Sequence, residues 1–142
     1  MRHVSSLVLQ HDCYYRDMKM SISMNTLEAI LRAFNNHDID SIMSYFSPRG
    51  EFVMAAGPGG YGTRLVGRAA IAKALKERFE VVPDISWTDA SSWICGDRAV
   101  TEWRVQGTTP TGPLDCNGCD LWHFDGDKIL RKDTYYKQVI NV

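Results

Sequence analysis

The chain has 142 residues, 44% apolar and 11% aromatic, with 16 Lys and Arg against 17 Asp and Glu and a formal net charge of −1. That length fits one domain with a real core, and the near-balance of charge argues against disorder and against a nucleic-acid partner. No apolar run approaches the roughly 20 residues of a bilayer span, and the stretch from Val4 to Leu9 is too weak for a secretory leader. No membrane contact is therefore expected, and the cytoplasm is the default location.

The first two dozen residues show no clear period and contain Met18, Met20 and Met24, so residues 1–24 read as an extension and 25–142 as the domain. Asn25 precedes Glu28 by a capping-box spacing, and Leu27, Ile30, Leu31 and Phe34 mark one face of a first helix that Asn35-Asn36 breaks. Asp38 and Asp40 can cap a short second helix carrying Ile42, Met43, Tyr45 and Phe46, with Ser47-Pro48-Arg49-Gly50 as its stop. A strand from Glu51 to Ala56 follows.

Next comes Gly57-Pro58-Gly59-Gly60-Tyr61-Gly62, which has the GxGxxG spacing of a dinucleotide turn. The next helix starts several residues later and no further βαβ units follow, so the run is expected to be a loop beside a pocket. That helix, Arg68 to Glu80, aligns Ile71, Leu75 and Phe79 on one stripe, and Pro83 closes it. Four β runs complete the chain: Ile85 to Cys95, Arg98 to Gly107, Leu114 to Phe124 and Lys128 to Val139. Their turns at Gly96-Asp97, Thr108 to Pro113 and Asp125-Gly126-Asp127 predict an antiparallel meander. The class is α+β, with a concave apolar pocket between helices and sheet.

Four cysteines, Cys13, Cys95, Cys116 and Cys119, are few for a disulfide scaffold and are read as reduced, small apolar residues. Cys116-Asn117-Gly118-Cys119 has a redox or zinc spacing, but in a strand residues three apart point to opposite faces, which favours a structural role. No two histidines stand at i, i+4, so chemistry without a metal or cofactor is expected.

Asp120 stands out among Cys119, Leu121, Trp122 and Phe124, because a carboxyl facing inward there is desolvated unless paired. Its partner depends on hairpin register: a two-residue turn sets it opposite Arg131, a three-residue turn opposite Lys132, and a longer offset against Asp133. His123 alternates to the other sheet face, which argues against a dyad with Asp120.

The order of elements, Asn35-Asn36-His37-Asp38-Ile39-Asp40 leading to Tyr45-Phe46, Val66-Gly67-Arg68-Ala69-Ala70-Ile71, and Gly118-Cys119-Asp120-Leu121-Trp122-His123-Phe124 with Asp127-Lys128-Ile129 together resemble the SnoaL-like branch of the nuclear transport factor 2 superfamily. That group includes ketosteroid isomerase, limonene epoxide hydrolase and the polyketide cyclases, and the resemblance spans roughly Asn25 to Ile140. It implies a cone-shaped, cystatin-like α+β roll: three N-terminal helices packed on a curved, mixed, mostly antiparallel sheet.

On this resemblance Asp120 falls at the oxyanion-hole aspartic acid of ketosteroid isomerase, a carboxyl kept neutral by its apolar site so that it donates a hydrogen bond. The isomerase's tyrosine falls on Ile30 and its base on Met54, so its route is not retained. The hydrolase's catalytic aspartate falls on Thr134, and its arginine and aspartate partners on Glu102 and Arg104. The resemblance therefore implies catalytic roles for Asp120 and Tyr136, with Trp122, Phe124, Lys132, Thr134, Glu102, Arg104, Met54 and Ile30 around a ligand. It implies a small apolar ligand and isomerase-, cyclase- or hydratase-like acid–base chemistry, the alternative being a non-catalytic binding domain. A homodimer through the outer sheet face is expected.

Overall fold

The computed structural model describes residues 22–141, so most of the expected extension lies outside the described residues. Its last part belongs to the fold. Ile22 is buried, and the Ser23 hydroxyl accepts from the Thr26 amide at 3.1 Å to cap helix α1 (Met24–Asn35). Ser23, rather than Asn25, thus satisfies an orphan amide of the first turn. Helix α1 buries Leu27, Ile30, Ala33 and Phe34. Helix α2 (Ile39–Tyr45), capped by Asp38, buries Ile42. His37 between them adopts φ 52°, stacks its ring on Phe79 at 4.2 Å and sets Nε2 2.7 Å from the Ile85 carbonyl oxygen.

Strand β1 (Phe46–Val53) begins where a helix stop was expected. Ser47-Pro48-Arg49-Gly50 form an irregularity between the pairs Phe46↔Ile129 and Glu51↔Arg131, a position where proline's missing N–H breaks no ladder bond. The glycine run then returns the chain to a short strand the sequence had hidden, β2 (Arg64–Val66), antiparallel to β1. Gly62 takes φ +71°, and a Cβ there would lie 2.0 Å from the Met54 carbonyl oxygen, so this glycine is required by hairpin closure. The GxGxxG spacing therefore joins strand to strand rather than strand to helix.

Helix α3 (Arg68–Val81) follows β2. Arg68 fastens its start to β1 by donating Nε and Nη2 to the Phe46 carbonyl oxygen at 2.9 and 2.5 Å. The expectation of three N-terminal helices is corrected: two precede β1, and α3 lies between β2 and β3. Strands β3 (Ser86–Cys95), β4 (Arg98–Thr109), β5 (Gly112–Asp125) and β6 (Lys128–Tyr136) are consecutive hairpins.

One curved, mixed sheet results, in the order β2-β1-β6-β5-β4-β3. β1 runs parallel to β6, and each of the other neighbouring pairs is antiparallel. Ile30, Phe34, Ile71, Leu75 and Phe79 from the helices meet Trp103, Val105, Trp122, Phe124 and Ile129 from the sheet in one core. Each such side chain contributes about 1.5–3 kcal/mol on burial, which fixes the helices over the concave face. Among the described residues no helix is long and apolar enough to cross a membrane. Cys116 and Cys119 are free thiols, whereas Cys95 is disulfide-bonded, so the expectation of reduced cysteines does not hold for that residue.

Candidate functional site

Strand alternation places Asp120, Trp122 and Phe124 of β5 and Lys132, Thr134 and Tyr136 of β6 on the concave face. The hairpin turns through Gly126-Asp127, with Asp125 opposite Lys128. An irregularity between His123 and Phe124 then shifts the pairing, so that Phe124 faces Ile129 but His123 faces Arg131. Asp120 consequently stands opposite Thr134, not opposite Arg131, Lys132 or Asp133. An extra residue in one strand moves the pairing by one, and turn length alone cannot foretell it.

Asp120 is the centre of a buried polar cluster. Lys132 Nζ lies 2.8 Å from Oδ1, the Thr134 hydroxyl donates to the same oxygen at 2.7 Å, and the Trp103 indole Nε1 donates to Oδ2 at 2.8 Å. Lys132 Nζ also donates to Thr134 Oγ1 at 2.7 Å. Asp120, Lys132 and Thr134 are each 5% exposed and Trp103 is 3% exposed. Every contact to Asp120 comes from a donor, one of them an ammonium, which is the environment of a carboxylate. The role of a neutral acid offering its own proton to a ligand, implied for Asp120 by the resemblance, is not what this geometry provides.

Gly118 makes the Trp103 contact feasible. A Cβ there would stand 2.6 Å from the Trp103 ring and 2.3 Å from the Tyr135 carbonyl oxygen. The glycine inside the Cys116-to-Cys119 run thus gives the indole room over β5.

Lys132 borders two hollows. A narrow cleft of about 10 Å³ is lined by Leu27, Ile30, Asp120 and Trp122. A larger cavity of about 120 Å³ is lined by Phe34, Phe52, Met54, Arg78, Thr134 and Tyr136 among others. Nζ sits 4.4 Å from the Phe52 ring centroid, 5.2 Å from that of Phe34 and 5.7 Å from that of Trp122, within cation–π range of all three. An ammonium has three N–H donors, and two are used by Asp120 and Thr134. Burial pushes the Tyr136 phenol above its ordinary value, and the Arg78 guanidinium beside it pulls partly back.

Ile30, Trp122, Met54, Lys132, Thr134 and Tyr136 therefore all border one of these hollows. Phe124 does not: it is 2% exposed and packed into the core, stacked with Trp122. Glu102 and Arg104 border neither of these two hollows, and their inward placement is corrected, although both line a wider outer hollow of about 520 Å³ that Trp103 and Tyr136 also reach. Thr101, Trp103 and Val105 are the inward residues of β4, so their neighbours point out, and Arg104 pairs on the outer face with Asp115 at 2.7 Å. His123 also faces outward, 3.3 Å from Asp97 Oδ2. The site residues that sequence reasoning missed are Trp103, Phe34, Phe52 and Arg78. The helical stripe already held a signal for Arg78, three residues after Leu75 and seven after Ile71.

The family profile of the SnoaL-like domain matches residues 27–132. The chain belongs to the SnoaL-like domain family. No curated protein matches the sequence. Solved structures similar to this SnoaL-like chain include a candidate polyketide cyclase from Xanthomonas campestris pv. campestris, 22% identical, with TM-score 0.70 over 80% of this chain and 88% of that one. A hypothetical protein of ketosteroid isomerase-like fold from Catenulispora acidiphila, in complex with trimethylamine, is 18% identical with TM-score 0.71 over 82% and 88%. A protein of unknown function with a cystatin-like fold, from Xanthomonas campestris, is 17% identical with TM-score 0.73 over 81% and 90%. At these identities the likeness concerns the fold.

Proposed function

We propose that the concave pocket of this SnoaL-like domain binds a small, largely apolar molecule by an oxygen set against Lys132. The ammonium then serves as proton donor or oxyanion partner in isomerisation, cyclisation or hydration, without a cofactor. The observation that carries this reading is the third N–H of Lys132, left over by Asp120 and Thr134 in a setting of aromatic rings beside the cavity. A charged donor in such a low-dielectric place stabilises a developing oxyanion far better than one in water. Asp120, Thr134 and Trp103 act as positioning residues for the ammonium. The polyketide cyclase description of one structural relative is consistent with this class of chemistry.

Butanone, a small apolar ketone, is a suitable probe. Saturable quenching of indole fluorescence is expected in the wild type and at least tenfold weaker binding in Lys132→Met, with exchange of the ketone's methyl hydrogens for solvent deuterium as the readout of catalysis. Equal affinity in the variant would remove Lys132 from the reading. Binding without exchange would favour the non-catalytic alternative.

A second reading concerns the outer face. Trp93, Val100 and Leu121 stand side by side across β3, β4 and β5, and Trp93 and Leu121 are 53% and 41% exposed. An apolar row on a solvent-facing sheet marks an association surface, and a second copy of this chain is the partner we propose.

A further inference from the structure

The larger cavity carries a charge that its own walls do not neutralise. The Lys132 ammonium is matched by Asp120. Arg78, projecting from α3, lines the same cavity and is half-buried, yet no Asp or Glu lines that cavity with it and, among the described residues, no carboxylate pairs with it. Tyr136 lines the same cavity, and the Arg78 charge draws its phenol pKa down against the rise from burial. What sets Arg78 apart from the unpaired cations on the exposed surface is its place in the wall of an apolar cavity.

We propose that this cavity selects a small monocarboxylate, its anionic oxygens held by Arg78 and the Tyr136 hydroxyl and its apolar body seated against Phe34, Phe52 and Leu75. The proposal rests on the pocket being the ligand site and adds the class of ligand. A guanidinium is charged at all working pH values and offers two parallel N–H donors that fit a carboxylate edge. A partly desolvated cation without a counter-ion is unfavourable, so an anion entering the cavity relieves a cost that a neutral molecule leaves in place. Burial favours the protonated phenol of Tyr136, which keeps it a donor toward that anion. Size sets the other limit: an apolar cavity of roughly 150 Å³ holds benzene, so about 120 Å³ here suits a short branched chain rather than an aromatic ring. With the carboxylate as anchor, Lys132 is left for the ligand's remaining functional group.

The test is calorimetric titration of the full chain with isobutyrate and with its neutral isostere isobutyramide. Isobutyrate is expected to bind at least tenfold more tightly, with the preference abolished in Arg78→Gln and largely kept in Arg78→Lys. Equal binding of isobutyrate and isobutyramide to the wild type would overturn the anion preference and leave the pocket reading standing. Failure of both to bind would overturn both. An isobutyrate preference that persists in Arg78→Gln would overturn the assignment to Arg78, and the wild-type comparison stands even if that variant does not fold.

Discussion

Lys132 meets Asp120 on the diagonal of the β5–β6 pair: Thr134 stands opposite the carboxylate, and the ammonium reaches it from the next inward position along the strand, at 2.8 Å. Long side chains bridge such diagonals readily. Lys132 therefore holds Asp120 while staying beside the cavity, as Thr134 does from the directly opposed position.

The pair is buried on both sides, so its two halves are not independently removable. Lys132→Met leaves the Asp120 carboxylate without its cation and is expected to cost about 3–5 kcal/mol. Combining it with Asp120→Asn removes the stranded charge, and the double variant is expected to recover about half of that loss. Urea unfolding of the two single variants and the double variant measures the coupling; strictly additive losses would contradict it.

Gly118→Ala tests the seat of Trp103. The new methyl would overlap the indole and the Tyr135 carbonyl oxygen, so the ring must move and its bond to Asp120 lengthen. A loss of about 1–3 kcal/mol is expected from overpacking alone. Thermal unfolding together with indole emission checks this, and an unchanged melting temperature would show that the strand absorbs the methyl.

Tyr136 gives a pH dependence with a definite sign. Its phenol is held above the ordinary 10.0 in the fold, so between that value and the folded one the unfolded chain releases a proton that the native state keeps. Its contribution to stability is complete below pH 10.0 and declines as pH rises through the folded value. Tyr136→Phe should flatten that part of the alkaline limb in graded-pH unfolding, and Arg78→Gln should push the late phenol ionisation higher still, read from phenolate absorbance.

On the outer face, Leu121→Arg places a charge in the middle of the Trp93–Val100–Leu121 row. Fold stability should change by no more than about 0.5 kcal/mol, as for ordinary surface substitutions, while light scattering should show a wild-type dimer reduced to monomers. A wild type that stays monomeric at high concentration would refute the interface.

Periodicity made the helices legible, because Leu27, Ile30 and Phe34, and Ile71, Leu75 and Phe79, repeat on one face each. Turn residues did the same for the four C-terminal strands. Asp120 was visible as an acid among apolar neighbours, and Lys132 appeared among its alternatives. The route to that partner was hidden, since the irregularity after His123 has no signal in residue type. Pro48 and Gly50 read as a helix stop because a strand irregularity uses the same residues. Glu102 and Arg104 were placed inward by resemblance, whereas the alternation that sends Trp103 to Asp120 requires them outside. Phe52 comes to the site from a distant element, and long-range packing of that kind leaves no local pattern, whereas Arg78 was legible in the helical stripe.

The parallel pairing of β1 with β6 sets the order in which the cavity can exist. Phe52 lies beside Lys132 across about eighty residues of chain, whereas Asp120 and Lys132 belong to one hairpin. Closing the longer loop carries the greater entropic cost, so the polar cluster can assemble before the wall that carries Phe52 and Met54 arrives. The same asymmetry makes β1 the natural point of transient opening in the finished molecule. Amide exchange faster in β1 than in the β5–β6 hairpin would then mark the way a ligand enters a cavity that, in its closed form, is walled by Phe34, Phe52 and Tyr136.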